Sequence, residues 1–177
     1  MAANGGGAGE GGLSHLDEHG HARMVDVGDK GVTRREARAE ALVKMSRSTL
    51  QLVAAGGLPK GDVFSTARIA GISAAKKTPE LIPLTHPLRI DSVSVEFDID
   101  EAEGAVRVTS TVVVTDRTGA EMEALTAVAT AALTIYDMCK AVERGVEVAS
   151  VRLLYKSGGK SGTWEAGPGA RRDFLEE

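Results

Sequence analysis

The chain of 177 residues is short of several things, and each shortage excludes something. It has one cysteine, Cys139, so no intramolecular disulfide can form, and a lone thiol fits a reducing cytoplasm. Aromatic residues make up 3%, too few for the stacked platforms on which single-strand binders seat bases. Lys and Arg number 21 against 25 Asp and Glu, a net charge of −4, which argues against coating a nucleic-acid backbone. No apolar run approaches the roughly 18–20 residues of a membrane span. The leading MAANGGGAGEGG lacks the apolar core of a signal peptide and reads as a flexible tail. His15, His19 and His21 follow it, but no Cys and no second cluster completes a zinc site, so no bound metal is expected. Length and composition therefore predict one folded domain over 23–162, between flexible tails at 1–22 and 163–177.

What is present is a clear alternation of periods. Glu36–Met45 alternates Ala37, Ala39, Ala41, Val43 and Met45 with Glu36, Arg38, Glu40 and Lys44, the period of a strand with one buried face. Ser48 is the expected N-cap of a short helix that stops at Gly56-Gly57. A second helix is expected from its cap Asp62 to about Lys77, with Val63, Ala67, Ala70 and Ala74 on one stripe and Phe64 and Ile69 beside it. Thr78-Pro79 reads as cap and first position of another turn. Pro83 and Pro87 predict an extended, rigid Ile82–Leu88 segment. Val93–Ile99 and Val106–Val114 form a hairpin of two alternating strands. A long helix follows from Glu121 to Arg144, ended by Gly145, and a last strand covers about Val148–Tyr155. Strand, helices, strand, strand, helix, strand is the order of an α+β, ferredoxin-like split βαβ fold, an antiparallel sheet with helices on one face.

The long helix carries the strongest hint of chemistry. EMEALTAVATAALTIYDMCK is charged only at its ends, Glu121 and Glu123 at one and Asp137 and Lys140 at the other. An apolar middle predicts a buried helix. Asp137 and Lys140, three apart, share a face, either as a half-buried acid–base pair or as an ordinary surface ion pair. Basic residues stand at segment ends: Lys60, Lys76, Lys77, Lys156, and Lys160 inside Ser157–Gly162. A lysine among glycines lets backbone N–H groups and an ammonium meet one anion. The Walker spacing and its following helix are absent, so this is either a generic phosphate loop or a solvated one. His86 sits on the Pro-stiffened segment, oriented for proton transfer or phosphate contact, or simply hydrogen-bonded in the structure. On one continuous helix Glu123 and Asp137 stand about 21 Å apart. A site using both draws on two subunits, unless Glu123 precedes the helix.

Seven motifs stand in order: Met24–Val27, Lys60-Gly61-Asp62-Val63-Phe64, Ala67–Ile72, Leu81–Leu88, Gly119–Thr126, Thr134–Ala141 and Lys156–Gly162. Together they resemble the MoaC family, the cyclic pyranopterin monophosphate synthases of molybdenum cofactor biosynthesis. The resemblance covers about Met24–Gly162. It implies a ferredoxin-like subunit in a homohexamer, a trimer of dimers, with catalytic sites at the interfaces. The implied substrate is 3′,8-cyclo-7,8-dihydroguanosine 5′-triphosphate, supplied by a radical-SAM GTP cyclase, and the products are cyclic pyranopterin monophosphate and diphosphate. No electrons need to move, so no redox cofactor is expected. The family's functional positions fall on Lys60, His86, Glu121, Glu123, Asp137, Lys140 and Lys156, and its substrate-contact segments on Leu84-Thr85-His86 and Met122-Glu123. Several members carry Cys at the position of Thr85, so the reaction does not require a thiol there.

By that resemblance Asp137 and Lys140 are the proton-transfer pair, while Lys60, Lys156 and His86 neutralise the triphosphate. Glu121 and Glu123 accept from the guanine's amino edge. Two other classes remain open on the residues alone: a nucleotide-sensing module, and a scaffold for the partner cyclase. A scaffold has no use for lysines converging on one pocket.

Overall fold

The computed structural model describes residues 21–167. Five strands and four helices follow in order: β1 (Thr33–Lys44), α1 (Arg47–Ala54), α2 (Val63–Ala75), α3 (Thr78–Leu81), β2 (Ile90–Asp100), β3 (Ala105–Asp116), α4 (Glu121–Cys139), β4 (Glu147–Ser157) and β5 (Trp164–Glu165). The sheet order is β2-β3-β1-β4-β5, and every pairing is antiparallel. This is the expected α+β arrangement. The two central strands separate the members of each βαβ unit, and the helices share one face of the sheet. The described residues include no helix long and apolar enough to cross a membrane.

The predicted alternation of β1 is observed. Ala37, Ala39, Ala41 and Val43 are fully buried beneath the helices, with Val106, Val108, Val112 and Val114 of β3 beside them. The small alanines of β1 leave room for α4 to lie close over the sheet centre. Ser110 Oγ donates to the carbonyl of Ala124 across that contact, at 2.8 Å. Helices α2 and α4 approach through small residues. A Cβ placed on Gly71 would lie 2.9 Å from the carbonyl oxygen of Ala127 and 3.3 Å from the Cβ of Ala131.

The opposite face of the sheet is polar but not fully solvated. Glu40, predicted to point outward with Arg38 and Lys44, is 4% exposed. It accepts from Arg107 Nη1 at 3.0 Å and Arg152 Nε at 2.7 Å. Two guanidiniums from the flanking strands cover one carboxylate.

Several boundaries differ from expectation. The N-cap of α1 is Ser46, not Ser48: Ser46 Oγ accepts from the Thr49 N–H. Asp62 does cap α2, accepting from the Ser65 N–H, but Ile69 is exposed and Gly71 takes the buried position. Thr78 lies inside α3 with Lys77 as cap. Its hydroxyl donates back to the carbonyl of Ala75 at 3.0 Å, and no side chain caps the N–H groups ahead. The segment after α3 turns before it extends: Thr85 N–H donates to the Ile82 carbonyl at 3.2 Å, with Pro83 at the second position a turn favours. Helix α4 ends at Cys139, where Lys140 is the C-cap and the N–H groups of Val142 and Glu143 fold back onto the Cys139 carbonyl. Strand β5 pairs with Tyr155 and Lys156, within the stretch expected to be a C-terminal tail. His15 and His19 lie outside the described residues.

Candidate active site

One end of the sheet opens into a cavity of about 470 Å³ beside the start of α4. Of the ten predicted site residues, seven line it: Leu84, Thr85, His86, Glu121, Met122, Glu123 and Lys156. The three remaining, Lys60, Asp137 and Lys140, form a separate cluster at the far end of α4. The predicted residues therefore fall into two groups, at the two ends of one helix.

The cavity is built by the sheet's core parity running out into solvent. Lys156 on β4 pairs across to Ala37, so it follows the buried face to the sheet edge. There its Nζ donates to Glu121 Oε1 at 3.0 Å. The Glu121 carboxylate folds back over Gly119, into space that a Cβ there would occupy. His86 and Thr85 are delivered by the turn after α3, where Thr85 Oγ1 donates to the Ile82 carbonyl at 2.9 Å.

Glu121 and Glu123 occupy the first turn of α4, whose cap Ala120 offers no side-chain acceptor. Acidic groups there suit the positive end of the helix dipole. Yet the two carboxyls live differently. Glu121 has the Lys156 ammonium. Glu123 is 2% exposed and has no ion pair among the described residues. Burial pushes its carboxyl up to about 7, and the charge of Glu121 pushes the same way. Glu123 is thus a carboxyl that can give or take a proton near neutrality.

At the other end, the Asp137 carboxylate is held between two ammoniums. Lys140 Nζ lies 2.6 Å from Oδ1 and Lys60 Nζ 2.7 Å from Oδ2. Lys60 also donates to the Asp137 carbonyl at 2.9 Å, one of the carbonyls the last turn leaves unpaired. Lys60 reaches it from the loop that Gly61 turns at φ 92°. Lys140 first and Lys60 second hold the Asp137 carboxyl down at about 2, and Asp137 raises the Lys140 ammonium in return. Neither side chain of this pair is deeply buried: Asp137 and Lys140 are about half exposed, 52% and 51%, between the half-buried and the surface reading. They lie on the strip of α4 that the sheet and α2 leave uncovered. The dense hydrogen bonding is there, without the desolvation.

Sequence reasoning missed two charged cavity residues, Lys30 and Arg35. For Arg35 a signal existed. It has the parity of Ala37–Val43 and pairs with Val114 of the buried face. A charged residue at a core-facing position of a strand has a partner or a job. Among the described residues, no group of three His, Cys, Asp or Glu side chains is placed to hold a metal ion.

Residues 24–159 match the model of the MoaC family. The chain belongs to that family. It is 58% identical over 154 residues to the cyclic pyranopterin monophosphate synthase of Pelotomaculum thermopropionicum, covering 87% of this chain and 91% of the relative. The protein of the same name from Chloroflexus aggregans is 58% identical over 153 residues, 86% of this chain and 93% of the relative. That from Roseiflexus sp. is 58% identical over 150 residues, 85% and 95%. All ten predicted site residues fall within the matched residues 24–159.

Proposed function

We propose that the chain is a cyclic pyranopterin monophosphate synthase, a lyase of molybdenum cofactor biosynthesis. It converts 3′,8-cyclo-7,8-dihydroguanosine 5′-triphosphate into cyclic pyranopterin monophosphate and diphosphate. The observation that carries this reading is the division of the predicted residues into two ready-made halves. One is a cavity with two differently charged carboxyls, a histidine and a lysine. The other is a carboxylate-clamped pair of ammoniums. Placed against each other across a subunit interface, they make one site, and the family resemblance supplies the homohexamer as the assembly.

The residues suit the bond changes. Opening the purine's five-membered ring and closing a pyrazine ring move protons and no net electrons, work for acid–base groups. Closing the cyclic phosphate forms an O–P bond from a hydroxyl of the substrate to its innermost phosphorus. The P–O bond to the outer two phosphates breaks, its electron pair leaves with diphosphate, and the hydroxyl's proton passes to a base. Lys156 and His86 face the growing negative charge. Glu123, with its carboxyl near 7, exchanges protons with the heterocycle, and Glu121 accepts from its N–H edge. In the second half, Asp137 stays anionic under both lysines, so it fixes Lys60 and Lys140 while Lys140 carries the proton.

Two experiments test this. Purified wild type is incubated with the cyclised triphosphate, and diphosphate and the fluorescent oxidised pterin are followed, beside Lys140→Ala. Turnover by the wild type and none by a folded Lys140→Ala is expected; a wild type that forms no product refutes the proposal. Mixed hexamers of Glu123→Ala and Lys140→Ala then test the shared site. Each variant alone is inactive, and co-assembly restores turnover because some interfaces pair two intact halves. Inactive mixed hexamers would place both halves in one subunit's site.

A further inference from the structure

Cys139 ends α4 fully buried, and Val146 returns the chain to the core. Between them Lys140, Ala141, Val142, Arg144 and Gly145 are exposed, and Glu143 is half-buried. Lys140 is thus carried on a turn with little apolar burial to hold it. The turn's backbone bonds run back to α4 alone. Lys140 N–H donates to the Tyr136 carbonyl at 2.9 Å, and the N–H groups of Val142 and Glu143 donate to the Cys139 carbonyl at 2.9 and 3.0 Å. Bonds of this kind finish a helix without tying its end to anything else.

Glu143 supplies the tie. Its carboxylate accepts from the Ser46 N–H, at 3.1 Å on Oε1 and 3.0 Å on Oε2, and from Ser46 Oγ at 2.8 Å. Among the described residues it is the side chain of 140–145 with hydrogen bonds to another element. Its partner is well fixed. Ser46 is the N-cap of α1, and the Met45 N–H beside it donates to the Gly104 carbonyl at 2.9 Å. The charge has a meaning too. Just beyond the C-terminus of α4 a carboxylate has the wrong sign for that helix dipole, whereas at the N-terminus of α1 it has the right one. The local chemistry of α4 disfavours Glu here, and only the partner across the fold accounts for it. Bonds from Thr49 and Ser46 outweigh its partial burial and hold its carboxyl below the ordinary range, so it stays charged at neutral pH.

The tether acts three residues beyond Lys140. In the closed turn the Lys140 ammonium stands 2.6 Å from Asp137 Oδ1, with Lys60 2.7 Å from Oδ2. If the turn opens, the Lys140 backbone leaves the Tyr136 carbonyl, and a long side chain is held by one half-exposed carboxylate alone. We propose that Glu143 is a positioning residue for Lys140. By bonding to the start of α1 it keeps the turn after α4 closed, and so keeps the Lys140 ammonium against Asp137. The reaction in which Lys140 carries a proton rests on the proposed function; the tether does not.

Glu143→Ala and Glu143→Gln are compared with the full-length wild type in two measurements, well below the unfolding temperature. In the first, competitive acetylation by acetic anhydride is read by mass spectrometry, with the exposed Lys76 and Lys77 as internal references. An ammonium clamped on a carboxylate acylates slowly, so the Lys140 rate in Glu143→Ala rises about threefold or more against the references. In the second, turnover of the cyclised triphosphate falls about tenfold in kcat for Glu143→Ala, while KM moves by less than about twofold. Gln still accepts from Ser46 through its amide oxygen, so Glu143→Gln stays within about threefold of wild type in both measurements. A role in stability alone would lower the urea midpoint and leave both readings of the folded protein unchanged. An unchanged Lys140 rate in Glu143→Ala overturns the tether, and a raised rate with unchanged kcat overturns the positioning role. A Glu143→Gln variant as impaired as Glu143→Ala overturns the proposal as well, since the bond to Ser46 would then not be what matters. A wild type that forms no pterin overturns the proposed reaction, and the acetylation rates then decide the tether by themselves.

Discussion

Replacing Glu123 with Gln should stabilise the protein in alkali and hardly at all in acid, while removing activity. The magnitude follows from the burial of a carboxyl with no cationic partner. Its ordinary value of 4.5 is raised to about 7 in the folded chain. At about 1.4 kcal/mol per pH unit, this separation corresponds to roughly 3 kcal/mol. The sign is set by where the proton is held more tightly, and here that is the folded state. Between about pH 4.5 and 7 the folded chain keeps a proton that the unfolded chain has lost, so stability falls as pH rises through that window. Above it, folding has to carry a buried, unpaired carboxylate. Gln keeps the shape and never ionises. At pH 8 the variant should gain up to about 3 kcal/mol over wild type, and at pH 5 less than about 1 kcal/mol. Urea unfolding at both pH values measures this, with protomer concentration and salt held fixed because assembly contributes to apparent stability. Equal gains at both pH values, or a loss at pH 8, would refute the reasoning. A gain at pH 8 together with lost turnover is the trade expected of a functional residue.

Asp137→Asn keeps the side chain's size and removes the charge between Lys60 and Lys140. With the cluster half exposed, unfolding midpoints should barely move, while kcat drops by about a hundredfold or more. Glu40→Gln leaves Arg107 and Arg152 facing a neutral group over the sheet. At pH 7 it should cost about 2–3 kcal/mol in urea unfolding, less than a fully buried pair because both arginines are about one-third exposed. Burial raises the Glu40 carboxyl, but bonds from Arg152 and Arg107 outweigh it and the net direction is down. The wild-type advantage therefore exists above the ordinary carboxylate range and disappears as pH falls below it. Gly71→Ala places a methyl 2.9 Å from a backbone carbonyl and 3.2 Å from Val95 Cγ2. A carbonyl of α4 cannot step aside, so despite Ala's better helix propensity the change should cost about 1–3 kcal/mol by thermal or urea unfolding.

Most of the architecture was legible because period and punctuation agree along this chain. Strand β1 alternates so strictly that its buried face could be written down in advance, and Asp62 could be named as a cap. The misreadings share one physical origin: local chemistry with two outcomes, decided by tertiary partners. Ser46 and Ser48 are both plausible caps, and only Ser46 also reaches Glu143, at 2.8 Å. Glu40 has outward parity yet is buried, because Arg107 and Arg152 stand on strands that its own segment cannot see. Asp137 and Lys140 were readable as a pair, but their exposure depended on which strip of α4 the sheet and α2 would leave bare. Arg35 carried a signal, a charge on an apolar face, that the sequence reading passed over; the glycines packed against it, Gly158 and Gly159, lie more than a hundred positions away.

The division of the site follows from the same helix that makes the core. Ala124, Ala127, Val128, Ala131, Ala132, Ile135, Met138 and Cys139 are buried along one continuous run of α4, locked between the sheet and α2. Glu123 and Asp137, fourteen positions apart, therefore stay about 21 Å apart in any state that keeps the core. Bringing them together within a chain would require breaking the central helix, a far larger cost than the whole stability of such a domain allows. Bringing them together between chains requires only that the cavity of one subunit meet the exposed lysine pair of another. The same geometry accounts for the exposure of Asp137, Lys60 and Lys140. Under the proposed function, a cluster that serves a neighbour's cavity has to be presented outward, and assembly and substrate would supply its final burial. On this reading the long apolar helix is a spacer as much as a core element: it fixes the distance at which two subunits must be set for either half-site to be complete.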